Sequence, residues 1–198
     1  MSTVDTSFGL TARSQIVYLK GVRVLPFASI YKPEPNLSGV EQYSVTCTVT
    51  DEQYEFLKGE MLKAARRQWK DKAEQVFASL REDHLGARGF KINAGGEMHL
   101  GIKATRYAND RKGNAIKPPK IMQRNKEIST ADSLDSVRPG DYVVLYVDPR
   151  AYDFNGQRGV KFDFVGMQYQ QEGPSLEGRK AMTDDDFEDL AVEETPEW

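Results

Sequence analysis

Cysteine, histidine and long apolar runs are scarce in this 198-residue chain, and each shortage excludes a class of protein. The single cysteine, Cys47, cannot form an internal disulfide or organise a zinc site by itself, which indicates a reducing compartment. The densest apolar run, Tyr142 to Val147, is far shorter than the ~20 residues that a membrane-spanning helix needs. The first ten residues lack the basic and apolar regions of a secretory signal. We therefore expect neither a membrane protein nor an exported one.

The motifs of common enzyme classes are also missing. His84 and His99 have no second ligand at helical or hairpin spacing, which gives a His/Cys metal site little support. No phosphate-binding loop, dinucleotide-binding glycine pattern or nucleophile elbow occurs in the sequence. The run Asp184 to Asp186 leaves a metal-dependent nuclease open as an alternative, but two-metal chemistry needs carboxylates on rigid elements. We expect no metal, no cofactor and no catalysis.

Charge is plentiful, and it is unevenly placed. The formal net charge is −3, yet residues 1–182 hold 27 basic against 22 acidic side chains, and residues 183–198 hold eight acids and no base. Within the positive part, eight basic residues between Lys103 and Lys126 stand against Asp110 alone. A single run of like charge is often only a solvated surface. Two opposite runs in one small chain favour an anionic partner for the first and a separate role for the second.

Hydrophobic patterning predicts a mainly β domain. Alternation or dense apolar composition predicts strands in five segments: Gln15 to Ile30, Gln42 to Thr50, Glu97 to Tyr107, Tyr142 to Val147 and Val160 to Tyr169. Two prolines and a glycine predict a loop from Lys32 to Gly39. Apolar residues at three- and four-residue spacing after Thr50 or Asp51 predict one long helix or two short ones over 51–81. The span Ala108 to Glu127 is predicted as a turn followed by an extended, lysine-rich segment.

These elements predict one folded unit with two appendages. Residues 1–14 are polar and unpatterned and are predicted to be a flexible arm, residues 15–172 to be the folded domain, and residues 173–198 to be a linker and a disordered acidic tail. The strand count of five or six, with one helical insertion, favours a small antiparallel barrel.

Basic side chains alternate with aromatic ones in the strands and loops of this domain. Sequence-independent binding of a single-stranded nucleic acid needs Lys and Arg along a groove and rings on which bases stack. Aromatic residues in the apolar phase of their strands are assigned to packing, whereas those beside basic residues in loops or on polar faces are candidates for stacking. The predicted DNA-binding residues are Tyr31, Lys32, Lys103, Arg106, Tyr107, Arg111, Lys112, Lys117, Lys120, Arg124, Arg150, Tyr152 and Phe154.

The strand set, the helical segment after the second strand, the Gly173-Pro174 linker and the ending Thr183 to Leu190 together resemble the small phage-encoded single-stranded DNA-binding proteins. Those proteins have an OB-fold and an acidic C-terminal tail, and many were long catalogued as a domain of unknown function. The resemblance implies a five-stranded antiparallel OB-fold barrel that coats single-stranded DNA in phage replication, recombination and repair. It also implies a location in the cytoplasm of the infected bacterium.

The acidic tail is predicted to compete weakly with DNA and to recruit phage or host replication and recombination proteins when DNA displaces it. The residues predicted to do so are Asp184, Asp185, Asp186, Phe187, Glu188, Asp189 and Trp198. Tails of this functional class commonly end on phenylalanine, whereas here Phe187 lies inside the tail and the last residue is Trp198. A protein-interaction module stays open as an alternative function, in which the basic segment meets an acidic partner or the tail of a second copy in a homo-oligomer.

Overall fold

The computed structural model describes residues 4–92, 97–174 and 176, and the described part contains nine strands and two α-helices. The strands are β1 (Phe8–Leu10), β2 (Val17–Val24), β3 (Ser29–Pro35), β4 (Glu41–Thr48), β5 (Ala87–Lys91), β6 (Met98–Tyr107), β7 (Lys120–Met122), β8 (Tyr142–Phe154) and β9 (Gln157–Gln171). The helices are α1 (Asp51–Trp69) and α2 (Ala73–Ala78), and short 3-10 helices occupy Lys70–Lys72 and Glu82–His84.

All nine strands belong to one sheet, and five of them pair in a closed ring. The ring runs β2, β8, β9, β6, β4, and the pairing of Val24 with Cys47 and of Arg23 with Thr48 returns it from β4 to β2. The other four strands, β1, β3, β5 and β7, add to the outside of β2, β4, β6 and β9 respectively. Most pairs are antiparallel, but β6 and β7 each pair with β9 in parallel.

The prediction of a mainly β chain with a helical insertion over about 51–81 is confirmed, since α1 and α2 lie within that span. The prediction of five antiparallel strands is wrong, because the described sheet has nine strands and two of its pairings are parallel. Strands β1, β5 and β7 are three to five residues long, which is too short for alternation to identify them.

Strand β3 occupies part of the segment that the sequence predicts as a loop. It includes Pro33 and Pro35 and pairs only with β4, so its other edge carries no ladder hydrogen bonds within the described residues. Proline is tolerated in such an edge strand because its missing N–H is not needed for pairing. The predicted loop is therefore limited to the turn between β3 and β4, where Asn36 accepts hydrogen bonds from the backbone N–H groups of Ser38 and Val40.

The N-terminal segment also differs from the predicted flexible arm. Within residues 4–14, β1 pairs with β2, and the Phe8 ring lies 5.0 Å from the Phe56 ring of α1, centroid to centroid. Where this segment crosses β2, Gly21 has a φ of +65°, and a Cβ there would lie 2.7 Å from the Asp5 carbonyl oxygen. The bulge in β2 between Leu19 and Val22 therefore depends on glycine at position 21.

Helix α1 begins with a capping box that also anchors the helix to the sheet. The Thr50 hydroxyl accepts from the Gln53 backbone N–H, and the Gln53 side chain accepts from the Thr50 backbone N–H. The fully buried Gln53 amide then donates to the carbonyl oxygens of Thr6 and Lys20, at 3.0 and 2.8 Å. One side chain thus joins the helix start to β2 and to the N-terminal segment.

The core lies between the inner face of the strand ring and the apolar face of α1. Its largest fully buried apolar side chains are Phe162, Phe164, Leu19, Leu57, Met61, Ile102, Leu145 and Met167. Cys47 belongs to the same cluster, and burial raises the pKa of its thiol, so it packs the core and is not a reactive thiol. Of the helices in the described residues, none has the length and apolarity that crossing a bilayer requires.

Candidate nucleic-acid interface

A cavity of about 380 Å³ opens on the outer face of the sheet where β6 ends beside β8 and β9. It is lined by four basic side chains, one acidic side chain, one aromatic ring and one aliphatic group: Arg106, Lys117, Arg150, Lys161, Asp163, Tyr107 and Ile116. The basic residues exceed the acidic one by three charges. Four predicted residues meet in this cavity: Arg106, Tyr107 and Lys117, and the more distant Arg150.

The register of the β8–β9 hairpin places Lys161 in the cavity. The hairpin turns at Asn155 and Gly156, with φ values of +50° and +77°, as in the two-residue Asn-Gly turns that match strand twist. Residues equidistant from that turn are paired, so Arg150 lies opposite Lys161, and Asp148 lies opposite Asp163. Like charges thus face each other on adjacent strands, an arrangement that is unfavourable without a diagonal partner.

Diagonal ion pairs compensate for this arrangement. An Nη atom of Arg150 lies 3.0 Å from Asp148 and 4.0 Å from Asp163. From β6, the Arg106 guanidinium donates two hydrogen bonds to the Asp163 carboxylate, at 3.2 and 2.5 Å. Such a bidentate contact fixes the plane of the guanidinium. Asp163 therefore orients Arg106 and offsets one of the four positive charges of the cavity.

Two exposed aromatic rings near the cavity each have a cation beside one face. Tyr107 is 43% exposed, and the Lys161 ammonium lies 4.7 Å from the centre of its ring. Phe154, at the hairpin tip, is 55% exposed, and the Arg111 guanidinium lies 5.2 Å from its ring centre. A ring with a neighbouring cation offers both stacking surface and positive charge to a nucleotide.

Tyr152 has a different environment from these two rings. Its side chain is half-buried, and a Cβ at the opposite residue, Gly159, would collide with its phenol group. Burial, with a smaller contribution from the negative charge of Asp83, raises the pKa of Tyr152. The ring therefore packs over Gly159 and presents less of its surface than Tyr107 or Phe154.

The loop after β6 is held in shape by its one acidic residue, Asp110. Its carboxylate accepts from the Asn114 side chain and from the backbone N–H groups of Lys112 and Asn114. The bond from the Asn114 side chain, followed by these backbone bonds, lowers the pKa of Asp110. The ordered loop exposes Arg111 and Lys112 beside the hairpin tip.

Beyond the cavity, the basic segment continues along β9. Lys120, the first residue of β7, pairs with Gly166, and the Arg124 guanidinium lies 5.4 Å from the centre of the Tyr169 ring. Both basic residues are exposed. With Lys117 in the cavity, they form a line of cations that follows β9 toward its C-terminal end.

Nine of the thirteen predicted residues do not line the cavity, and three of these nine lie on β3 or on β6. Lys103 is exposed on β6 opposite Thr46, and Lys32 is exposed on the edge strand β3. The Tyr31 hydroxyl accepts a 2.6 Å hydrogen bond from the Val137 backbone N–H and lies 3.0 Å from the Ser129 hydroxyl. Tyr31 thereby joins β3 to the loop before β8.

Ile116, Lys161 and Asp163 line the cavity but are not among the residues predicted from the sequence. The sequence did contain a signal for two of these residues. Alternation from Val160 to Tyr169 places Lys161 and Asp163 on the polar face of that strand. Centring the hairpin on Asn155 and Gly156 would then have placed Lys161 opposite Arg150.

Two predictions concern groups that the cavity does not include. The acidic tail residues Asp184, Asp185, Asp186, Phe187, Glu188, Asp189 and Trp198 lie outside the described residues, as does the carboxylate run considered for a nuclease. Within residues 4–92, 97–174 and 176, no group of three or more His, Cys, Asp or Glu side chains is arranged to hold a metal ion.

Comparison with solved structures finds the same fold in phage proteins. The single-stranded DNA-binding protein from bacteriophage Enc34 matches with a TM-score of 0.60 at 13% identity, over 93% of this chain and 99% of that one. Its complex with single-stranded DNA matches with a TM-score of 0.60 at 11% identity, over 88% and 99%. The single-stranded DNA-binding protein gp2.5 of bacteriophage T7 matches with a TM-score of 0.55 at 15% identity, over 87% and 100%.

At such low identities the similarity establishes the fold. No protein-family model matches the sequence, and no curated protein matches it either. The structural neighbours of this chain are thus phage single-stranded DNA-binding proteins, in agreement with the resemblance inferred from the sequence.

Proposed function

We propose that this chain, which has the fold of phage single-stranded DNA-binding proteins, binds single-stranded DNA without sequence preference and is not an enzyme. The observation that carries the proposal is the cavity in which Arg106, Lys117, Arg150 and Lys161 surround the exposed ring of Tyr107. Cations beside a stacking surface are what binding of an unpaired strand requires. The complex of the Enc34 protein with single-stranded DNA supports the same ligand for this fold.

In this proposal the five-strand ring is the OB-fold barrel, and the cavity is its binding face. The order in which β2, β4, β6, β9 and β8 pair, closed by β2 with β4, supports that assignment. OB-folds bind oligonucleotides on a face of the barrel and through adjoining loops. The loop that carries Arg111 and Lys112 adjoins the cavity in the same manner.

The proposed path of the strand has a centre and an extension. At the centre, a base stacks on Tyr107 while Lys161, Lys117 and Arg150 contact phosphates, and Arg106 is held by Asp163 beside them. The extension is formed by groups to either side: Arg111, Lys112 and Phe154 at the hairpin tip, and Lys120 and Arg124 along β9. Tyr31, Lys32, Lys103 and Tyr152 remain peripheral candidates.

We further propose that the acidic tail competes with DNA for this surface and recruits replication, recombination and repair proteins of the phage or its bacterial host. The support is charge complementarity, since residues 183–198 hold eight acids and no base, whereas residues 1–182 have five more basic than acidic side chains. The protein would act in the cytoplasm of the infected cell.

Fluorescence anisotropy with labelled oligo(dT) tests the binding function. We expect saturable binding that weakens as salt is added. The logarithm of the binding constant should fall linearly with the logarithm of the salt concentration, with a slope of about −0.7 for each phosphate neutralised on a single strand. A duplex of equal length serves as the matched control and should bind more weakly, because its bases cannot stack on protein rings. Absence of salt-dependent binding to oligo(dT) would refute the proposal.

A further inference from the structure

A second cavity lies on the other side of β8, between that strand and α1. Its volume is about 460 Å³, within the range of ligand clefts, and its walls include Ser14, Gln15, Arg67 and Gln68. Among the described residues, none of the side chains that line it is aromatic. The cavity therefore offers hydrogen-bond donors and charge but no surface on which a base could stack.

The two cavities meet at one side chain. Arg150 lines both of them, and its side chain is 61% exposed. Within the described residues, the pairing of β2 with β8 ends at Val17 and Val147, so the next residues of β8 have no strand on that edge. Arg67 donates from α1 to the Pro149 carbonyl oxygen across this open edge, at 3.4 Å. A continuous surface thus runs from Tyr107 over Arg150 to Arg67.

The charges of the second cavity single out Arg67. Glu60 is paired with Lys63 at 2.6 Å, and Asp148 is paired with Arg150 at 3.0 Å. Arg67 is exposed and forms no ion pair within the part of the chain that the structure describes. Its neighbour Arg66, by contrast, pairs with Glu74 at 2.8 Å.

We propose that this second cavity binds the sugar-phosphate backbone of the same DNA strand after it crosses Arg150. Arg67 would contact a phosphate there, and the neutral side chains of Gln68 and Ser14 would contact the sugar or the remaining phosphate oxygens. A guanidinium suits this role because its planar donors match phosphate oxygens. The inference rests on the proposed function. It gives α1 a role in DNA binding in addition to its packing against the core.

The test compares Arg67→Gln with Arg66→Gln, because each removes one positive charge from adjacent positions of α1. Oligo(dT) of about 4 and about 16 nucleotides spans the range of OB-fold site sizes. We expect R67Q to weaken binding of the longer oligonucleotide several-fold and to reduce its salt slope by about 0.7, the contribution of one phosphate. The shorter oligonucleotide fills only the central cavity, which is the one that contains Tyr107. Its binding should therefore be unchanged.

Arg66→Gln should leave both lengths and both salt slopes unchanged, and Arg67→Lys should restore the slope. Equal behaviour of R67Q and R66Q, or an equal loss at both lengths, would overturn the second subsite while binding by the central cavity stands. Failure of the unmodified protein to bind either oligonucleotide would instead refute the proposed function. Circular dichroism melting confirms that the variants are folded.

Discussion

At the scale of single residues, Tyr107 is the group on which base stacking should depend most. Its ring is exposed, lies at the end of β6 and has Lys161 beside one face. Replacement by leucine removes the stacking surface, which is worth about 1–3 kcal/mol, or roughly 5- to 150-fold in affinity for oligo(dT). Tyr107→Phe keeps the ring and should bind within about threefold of the unmodified protein, since stacking does not need the hydroxyl. Anisotropy titration at fixed salt measures both, and unchanged affinity of Y107L would remove Tyr107 from the site.

Tyr31 is expected to contribute to stability through its hydroxyl. Tyr31→Phe leaves the buried Val137 N–H without its acceptor, which should cost about 1–3 kcal/mol of unfolding free energy. Tyr43 also packs partly buried against the core, but its hydroxyl makes no hydrogen bond with the described residues. Tyr43→Phe is therefore a matched control that should be nearly neutral. Urea unfolding measures both variants, and equal midpoints would show that the Tyr31 hydroxyl is dispensable.

Single-residue roles could be predicted from the sequence only in part. Arg106 and Tyr107 were predictable because they end a predicted strand whose loop continues with further basic residues, and the structure places both in the cavity. The hydrogen bond of Tyr31 to a residue 106 positions away leaves no local pattern. The same holds for the Arg106–Asp163 pair, whose partners are 57 positions apart.

At the scale of elements, the attachment of α1 depends on Gln53. Replacing it with leucine keeps the volume similar but leaves the Thr6 and Lys20 carbonyl oxygens and the Thr50 N–H unpartnered. Each lost partner in a buried place costs about 1–3 kcal/mol, so we expect Q53L to lower the unfolding free energy by more than about 2 kcal/mol.

Chemical denaturation followed by circular dichroism measures the effect of Q53L. Gln75→Leu, at an exposed position of α2, is the matched control and should change stability by less than about 0.5 kcal/mol. Equal destabilisation by the two variants would contradict an anchoring role for Gln53.

Element prediction succeeded where the signal was local in sequence and failed where tertiary pairing decided the structure. The helix start at Thr50 follows from the spacing of a capping box, T-x-x-Q, which is local information. By contrast, β7 has three residues in a proline-rich segment and becomes a strand only because β9 lies beside it. Its parallel pairing could not be deduced from composition, because partner direction is a property of the whole sheet.

At the scale of the whole molecule, the two opposite charge excesses predict how binding responds to truncation. Deleting residues 183–198 removes eight acids and changes the formal net charge from −3 to +5. We expect the truncated chain to bind oligo(dT) more tightly, with the largest gain at low salt, because attraction between exposed charges is screened within about 8–10 Å at 0.1–0.15 M salt.

A full-length variant in which all eight acids become Asn or Gln separates the effect of the tail's charge on DNA affinity from the effect of its length. It should match the truncated chain in affinity, as measured by anisotropy at two salt concentrations. Weaker DNA binding by either variant would contradict competition between tail and DNA, and it would favour a tail that takes part in assembly.

The closed strand order limits how copies of this protein would meet on a long single strand under the proposed function. Within the described residues, the strands that pair with a single other strand are β1, β3, β5 and β7, which have three to seven residues, and β3 carries two prolines. Short, proline-bearing borders discourage sheet extension from one copy to the next. Neighbours lined up on one filament would therefore touch through side chains and loops, and could separate without breaking any backbone ladder.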